Sequence, residues 1–361
     1  MQATGVSQWL FPVSAVLDCT PSRTTSSIPV EKELYDRARG VEFLYRLGVT
    51  LGLPSSALYT AATWFHRFYM RHSMEDYHRQ DVAAACIFLA TKTEECGRKL
   101  RDVAKVYLAK LTKKDAKDIT DDNKEVEEYQ NAILLTEEVL LEALCFDFIV
   151  TSPHSDLVEL FDARPTPEYV EEYAWSVAND SFRTPLCVLY SSRVTAVACY
   201  ILAQHYVNDP EVMTLTDRIS SPAPSTSLPT PPSHKPYTES ARFALEFFRF
   251  NEIELASLSD ALTILLQFYA SPGLGGSVDY LSALNAISPP NPTDARVKHF
   301  MPSTTTTTNN QNGPSAQQQE SPAESGGGDQ HDGATSTKSP TKGWIPVRGN
   351  TENPLQRLDL S

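Results

Sequence analysis

Basic residues are the first shortage in this chain of 361 residues. Lys and Arg number 31 against 45 Asp and Glu, a formal net charge of −14. Dedicated DNA- or RNA-binding proteins rest on a basic surface, so that class is disfavoured, with electrostatic membrane binding. Long hydrophobic runs are missing too: none approaches the ~20 residues of a membrane span. Met1 to Phe11 holds no Lys or Arg and no long apolar core, so no secretory signal is expected. The six cysteines, Cys19, Cys86, Cys96, Cys145, Cys187 and Cys199, form no C-x-x-C pair. That spacing removes zinc ribbons and thioredoxin-type motifs. Most sit in apolar stretches and are expected to be small buried hydrophobes in a reducing compartment, cytoplasm or nucleus.

Catalytic signatures are equally scarce. There is no G-x-x-x-x-G-K-[ST] loop, no G-x-G-x-x-G and no H-E-x-x-H. Gly326 to Gly328 stands in a low-complexity tail, not between a strand and a helix. His66, His72 and His78 are six residues apart, which does not gather them on one helical face. Acidic runs such as Asp121-Asp122 and Glu127-Glu128 are expected to be solvated faces. No metal and no cofactor is expected, and the chain points toward a binding module rather than an enzyme.

What is present is helical text. Leu34, Ala38, Val41, Leu44 and Tyr45 recur at three- and four-residue spacing. Gly48, Gly52 and Pro54 are expected to stop that helix, and Ser55-Ser56 to cap the next, through Trp64, Phe65, Phe68 and Tyr69. Val82 to Ala90 is apolar on every side, which places it in the middle of a bundle. Leu100–Leu111 and, after a charged loop, Tyr129 to about Phe146 complete five helices. A second set of five is expected over Leu157–Phe161, Tyr169–Asp180, Val188–Tyr206, Ala241–Phe250 and Leu255–Tyr269. No stretch alternates like a half-buried strand. The fold class is all-α, two five-helix sets in tandem. The expected boundaries are an extension at 1–33, a first set at 34–150 and a second at 151–270. A Pro/Ser-rich insertion at 211–236 interrupts the second set, and a mostly disordered tail covers 271–361.

Two ionisable residues stand in apolar company. Lys92 closes the all-apolar helix, and Glu137 lies early in the helix that ends Leu140-Leu141…Leu144…Phe146. Each has an ordinary explanation: a lysine favoured at a helix C-terminus, and a glutamate facing solvent beside Glu138. Framed by hydrophobic surface, they could instead grip another protein's backbone, Lys donating to carbonyls and Glu accepting from amides. Such charge-assisted bonds contribute roughly 1.5–3 kcal/mol each.

The text around them resembles the cyclin box. Phe88-Leu89-Ala90-Thr91-Lys92-Thr93-Glu94-Glu95 is similar to the family's F-L-A-x-K-x-E-E. Glu137…Leu140-Leu141…Leu144-Cys145-Phe146-Asp147-Phe148 is similar to its E-x-x-L-L-x-x-L-x-F-D-[LF]. Trp64 to Tyr69, Trp9…Thr20-Pro21-Ser22, and Ala174-Trp175-Ser176-Val177-Ala178-Asn179-Asp180-Ser181 resemble blocks of the transcriptional cyclins of the K and T group. Together the blocks span roughly residues 9–270. The resemblance implies tandem five-helix cyclin boxes and a regulatory subunit that activates a cyclin-dependent kinase. The implied substrate is the RNA polymerase II C-terminal domain, in support of transcription elongation. Lys92 and Glu137, with Glu95 and Phe146, are the implied kinase-binding residues. Residues 1–33 would extend that contact or pack along the first repeat. A nuclear location is implied by the resemblance alone.

Departures narrow the reading. The stretch Arg39-Gly40-Val41-Glu42-Phe43-Leu44 stands where cell-cycle cyclins carry M-R-A-I-L, so their docking patch is expected to be missing. No destruction-box-like motif precedes the first box. A cyclin of a splicing or cell-cycle kinase is the nearer alternative. A TFIIB-like general transcription factor is the farther one, since that class needs a zinc ribbon and a basic surface. No direct DNA binding and no membrane partner is expected. Ser339-Pro340-Thr341-Lys342 fits the Ser-Pro-x-Lys pattern of cyclin-dependent kinases, and Ser221, Thr230 and Ser321 precede prolines. These are candidate phosphosites, although Ser-Pro pairs are also common in such tails.

Overall fold

The computed structural model describes residues 8–120, 123–207, 239–271 and Val297. Among them are thirteen α-helices, one 3-10 helix and no strand. Two short helices, α1 (Val13–Asp18) and α2 (Pro21–Thr24), lead into α3 (Val30–Thr50), α4 (Ser55–Phe68), α5 (Arg79–Thr93) and α6 (Leu100–Thr112). A 3-10 turn at Ala116–Asp118 precedes α7 (Lys124–Ala143). Then come α8 (Pro153–Ala163), α9 (Glu168–Ser181), α10 (Leu186–Leu189) and α11 (Ser192–Val207). Helices α12 (Glu239–Phe247) and α13 (Glu252–Ala270) follow.

Helix α5 explains the first core. Every residue from Val82 to Thr91 is buried, so no face of the helix is left for water. It packs against α3, α4, α6 and α7. Helix α11 plays the same part in the second core, with Ala196 to Ala203 buried against α8, α9, α12 and α13. Helix α13 is long and apolar enough by composition to cross a membrane. That was not expected from the sequence, and its apolarity is accounted for by packing: Leu258, Ala261, Ile264, Leu265 and Phe268 lie in the second core.

Several local expectations change. Gly48 does not stop α3 but lies inside it. A Cβ there would come within 2.0 Å of Leu58 Cδ2, so glycine permits the close approach of α3 to α4. The terminator is Gly52, at φ +62°. Ser55 and Ser56 are the first turn of α4, whose N-cap is Pro54 without a side-chain cap. Asn123, not the end of the charged loop, caps α7 through Glu125 N–H, so that helix starts five residues earlier than its apolar pattern does. Only Cys86 and Cys199 are buried; Cys96 and Cys187 are half-buried, and Cys19 and Cys145 are exposed.

The N-terminal segment does not simply follow the first helical set. Val16 and Leu17 join the second core with Leu34 and Ala38 of α3. Phe11 N–H donates to the Val188 carbonyl at 2.8 Å. A fully buried ion pair fastens its end: Arg37 donates to Glu33 Oε1 at 2.8 and 3.0 Å and to the carbonyls of His66 and Tyr69. Thr20 Oγ1 donates to the other Glu33 oxygen at 2.7 Å. Every strong acceptor and donor is used, which is the condition under which a buried pair persists.

Candidate functional site

The two charged residues singled out in the sequence meet in space. Lys92 is the last exposed cation of α5, and its ammonium donates to both Glu137 oxygens, at 2.7 and 2.8 Å. The ammonium also sits 4.0 Å from the Phe88 ring centroid, a cation–π contact. Glu137 does not face solvent beside Glu138: it is only 6% exposed, while the Lys92 side chain is 48% exposed. The pair is therefore a buried carboxylate capped by a cation at the protein surface. An ammonium has three donors and a carboxylate about four acceptor positions, so pairing leaves both able to bond further.

Exposed apolar side chains lie along α7 and just past its end. Leu134, Leu135, Phe146 and Ile149 are exposed, Phe146 at 65% and Ile149 at 77%. Single exposed apolar residues need no explanation; four within sixteen residues of one helix and its exit are a local concentration of them. Glu95 follows α5 and is exposed, with φ +53°. Cys145 and Phe146 follow α7 at φ +53° and +56°. Left-handed backbone costs a non-glycine residue roughly 1–2 kcal/mol. Two of the four sequence-predicted contact residues are thus held in a conformation that glycine would adopt more easily. Both positions follow a helix C-terminus, where a left-handed residue commonly ends the helix.

Trp9 braces the strained turn, a role the sequence did not reveal. Its indole N–H donates to Asp147 Oδ2 at 2.9 Å, and Gln8 donates to the same oxygen. Arg67 lies 4.8 Å over the Trp9 ring and donates to the Ile149 carbonyl at 2.9 Å and the Asp147 carbonyl at 3.4 Å. The Trp9 N–H bond, followed by Gln8, holds the Asp147 carboxyl below its ordinary value, against the opposing effect of desolvation.

The seam between the cores is built by the Asn179-Asp180-Ser181 block. Tyr59 and His154 both donate to Asn179 Oδ1, at 2.5 and 3.0 Å, and Tyr45 donates to the Asn179 carbonyl. The His154 ring stacks 4.1 Å from Tyr59, which stacks in turn 5.1 Å from Phe182. His66 Nε2 donates to the Phe182 carbonyl at 2.8 Å. Burial holds His66 down to about 3 and His154 down to about 4, so both are neutral near pH 7. Arg183 lies 3.6 Å from Asp180, 3.7 Å from Glu42 and 4.9 Å over Phe268. This block positions the two cores rather than offering a surface. Its polar residues were legible only as a motif, because their partners are spread over other helices: Tyr45 of α3, Tyr59 of α4, His154 of α8 and Tyr269 of α13.

The candidate phosphosites Ser221, Thr230, Ser321 and Ser339 lie outside the described residues, as do the 211–236 insertion and the tail after Ser271, Val297 excepted. Among the described residues no group of three or more His, Cys, Asp or Glu is arranged to hold a metal ion.

The site is a surface ion pair on a helical domain, with exposed apolar side chains on α7 and its exit. Residues 9–149 match the family of the cyclin N-terminal domain. Cyclin pch1 of Schizosaccharomyces pombe is 40% identical over 213 residues, covering 58% of this chain and 61% of that protein. Cyclin-T1-4 of Arabidopsis thaliana is 35% identical over 56% of this chain and 38% of that protein. Human cyclin-K is 32% identical over 51% of this chain and 31% of that protein. The chain thus spans less than two thirds of the length of these relatives. Residues 9–149 are thus similar to the cyclin N-terminal domain, and the relatives named here are cyclin pch1, a cyclin T and a cyclin K. A chain of the yeast RNA polymerase II CTD kinase CTDK-1 complex superposes with a TM-score of 0.54 at 15% identity. That likeness covers 82% of this chain and 91% of the other, and it shows the fold.

Proposed function

We propose that the chain is the regulatory cyclin of a cyclin-dependent kinase that phosphorylates the RNA polymerase II C-terminal domain, in the nucleus, to promote transcription elongation. On this reading it supplies no catalytic residue. The observation that carries the reading is the Lys92–Glu137 pair, with exposed apolar side chains on α7 and its exit, on a domain akin to cyclins K and T. The residues from 34 to 150 and from 151 to 270 serve as two cyclin boxes. The first packs these apolar side chains on the mobile helix of the kinase. Lys92 turns its remaining N–H toward a backbone carbonyl there, and Glu137 accepts from a backbone amide. Glu95 and Phe146 flank the pair and fix the register. The kinase is then held with its own Lys–Glu ion pair and activation segment in the competent geometry. Activation follows only because the cyclin binds that conformer better than the inactive one.

The test is co-purification of the full chain with kinases from nuclear extract, followed by assay on C-terminal-domain repeat peptide. Wild type is expected to bring down one kinase active on the peptide. A folded Lys92→Ala/Glu137→Ala chain is expected to bring down none. Capture of a splicing or cell-cycle kinase instead would overturn the substrate assignment, and capture of no kinase would overturn the mechanism.

A further inference from the structure

The chain carries a net charge of −14, yet residues 98–117 hold eight Lys or Arg and two Asp. The last eight of them place Lys110, Lys113, Lys114 and Lys117 at the end of α6 and in the 3-10 turn. Helix α3 packs on α6 and contributes Arg46 to this corner. Burial holds the Lys110 ammonium below its ordinary value, and the neighbouring Arg46 charge adds to the lowering, opposed by Asp115. Asp115 is committed locally, since its carboxylate accepts the Lys117 N–H at 3.0 Å; Asp118 follows, exposed. Among the described residues no ion pair engages Arg46 or these four lysines.

Helix-end electrostatics explains cations near the last turn of α6. It does not explain Arg46 on a different helix. Nor does it explain Lys113, which occupies the C-cap at φ +56°, ψ +31°, where glycine would relieve the crowding. Like charges gathered at one corner of an acidic protein, one of them in a strained backbone, fit an anionic partner.

We propose that Arg46, Lys110, Lys113, Lys114 and Lys117 dock phosphorylated segments of the kinase's own substrate, an inference that rests on the kinase reading above. Each phosphate adds about −1.5 to −2 charges to a repeat peptide that is otherwise nearly neutral. Lysines recognise it as point charges and the arginine as a fork. A repeat that has been phosphorylated once stays beside the kinase, which raises the local concentration of its unmodified neighbours. RNA fits the corner less well. Phe43 and Tyr45 of α3 and Tyr107 of α6 are buried, Tyr129 packs edge-on against Tyr107 and is half-buried, and no aromatic among the exposed large hydrophobics lies between residues 50 and 145. Single-stranded RNA recognition leans on such stacking platforms.

The test uses the full chain and labelled C-terminal-domain repeat peptides, phosphorylated and unphosphorylated, read by fluorescence anisotropy. The phosphopeptide should bind at least tenfold tighter than its unphosphorylated twin, and added salt should weaken it. Arg46→Gln/Lys110→Gln/Lys113→Gln/Lys114→Gln should abolish that difference. Lys113→Gly should melt no lower than wild type and still bind severalfold more weakly, which separates docking from folding. In the kinase complex, the quadruple variant should add the first phosphate at the wild-type rate but lose multiply phosphorylated product. Equal binding of the two peptides, or binding unchanged by the quadruple variant, overturns the proposal. So does oligouridine that outcompetes the phosphopeptide. A chain that binds phosphopeptide while wild type activates no kinase would sink the kinase reading and the docking role with it. An active complex whose variant still makes multiply phosphorylated product would sink the docking role alone.

Discussion

Removing either half of the Lys92–Glu137 pair should have unequal effects on folding and similar effects on kinase binding. Lys92→Met keeps the aliphatic stem against Phe88 but leaves the Glu137 carboxylate, 8% exposed in its side chain, without its cation. Stranding a buried acceptor costs about 1–3 kcal/mol. Glu137→Gln keeps the shape and one acceptor oxygen, and the orphaned ammonium is already half in water. That loss should stay below about 1 kcal/mol, as for exposed pairs. For the kinase complex each variant removes a charge-assisted bond worth roughly 1.5–3 kcal/mol, which is about 10- to 150-fold in Kd. Urea unfolding of the free chain gives the first pair of numbers, and calorimetric titration with the kinase gives the second. Equal destabilisation by the two variants would refute the argument from burial. A folded Lys92→Met chain that binds the kinase as wild type does would remove the pair from the interface.

Three further outcomes follow from the geometry. His66 and His154 are neutral in the fold, held to about 3 and about 4, whereas an unfolded histidine titrates near about 6.5. Between those values the unfolded chain takes up protons that the fold refuses. Stability should therefore fall as pH drops below about 6.5, by up to about 1.4 kcal/mol per pH unit for each histidine; a flat profile in urea unfolding would exclude neutral burial. Trp9→Ala removes a buried indole from beneath Arg67 and should cost about 3–5 kcal/mol. Trp9→Phe, which keeps a ring but loses the N–H to Asp147, should cost nearer 1 kcal/mol, about one hydrogen bond, as read by thermal melts. Gly48→Ala drives a methyl into Leu58 and should cost about 1–3 kcal/mol, whereas an unchanged melting temperature would mean that α3 and α4 can separate freely.

Much of the first core was legible because its signal is local. The run Val82–Ala90 has no polar face, so its place at the centre of a bundle needs no tertiary information. Lys92 and Glu137 were legible as ionisable residues in apolar company, each with an ordinary explanation, and it was the cyclin-box resemblance that singled them out. Their mutual bond was not legible, because it joins residues 45 positions apart. The boundaries that shifted did so where capping or close packing outweighed pattern. Asn123 starts α7 ahead of its apolar stripe, and Gly48 continues α3 because Leu58 needs the room.

Periodicity and composition by themselves determined that this chain is helical, that one helix is surrounded, and that two ionisable residues sit among apolar ones. Those properties depend on neighbours within a turn or two. Only the tertiary structure decided what each polar group is for. Trp9 and Asp147, 138 residues apart, become a brace for a strained turn. Asn179 and Asp180 become the seam between two cores, and Arg46 of α3 comes beside Lys110 of α6. Hydrophobic burial is encoded by spacing along the chain, whereas hydrogen bonds and charge pairs depend on which distant segments that burial brings together.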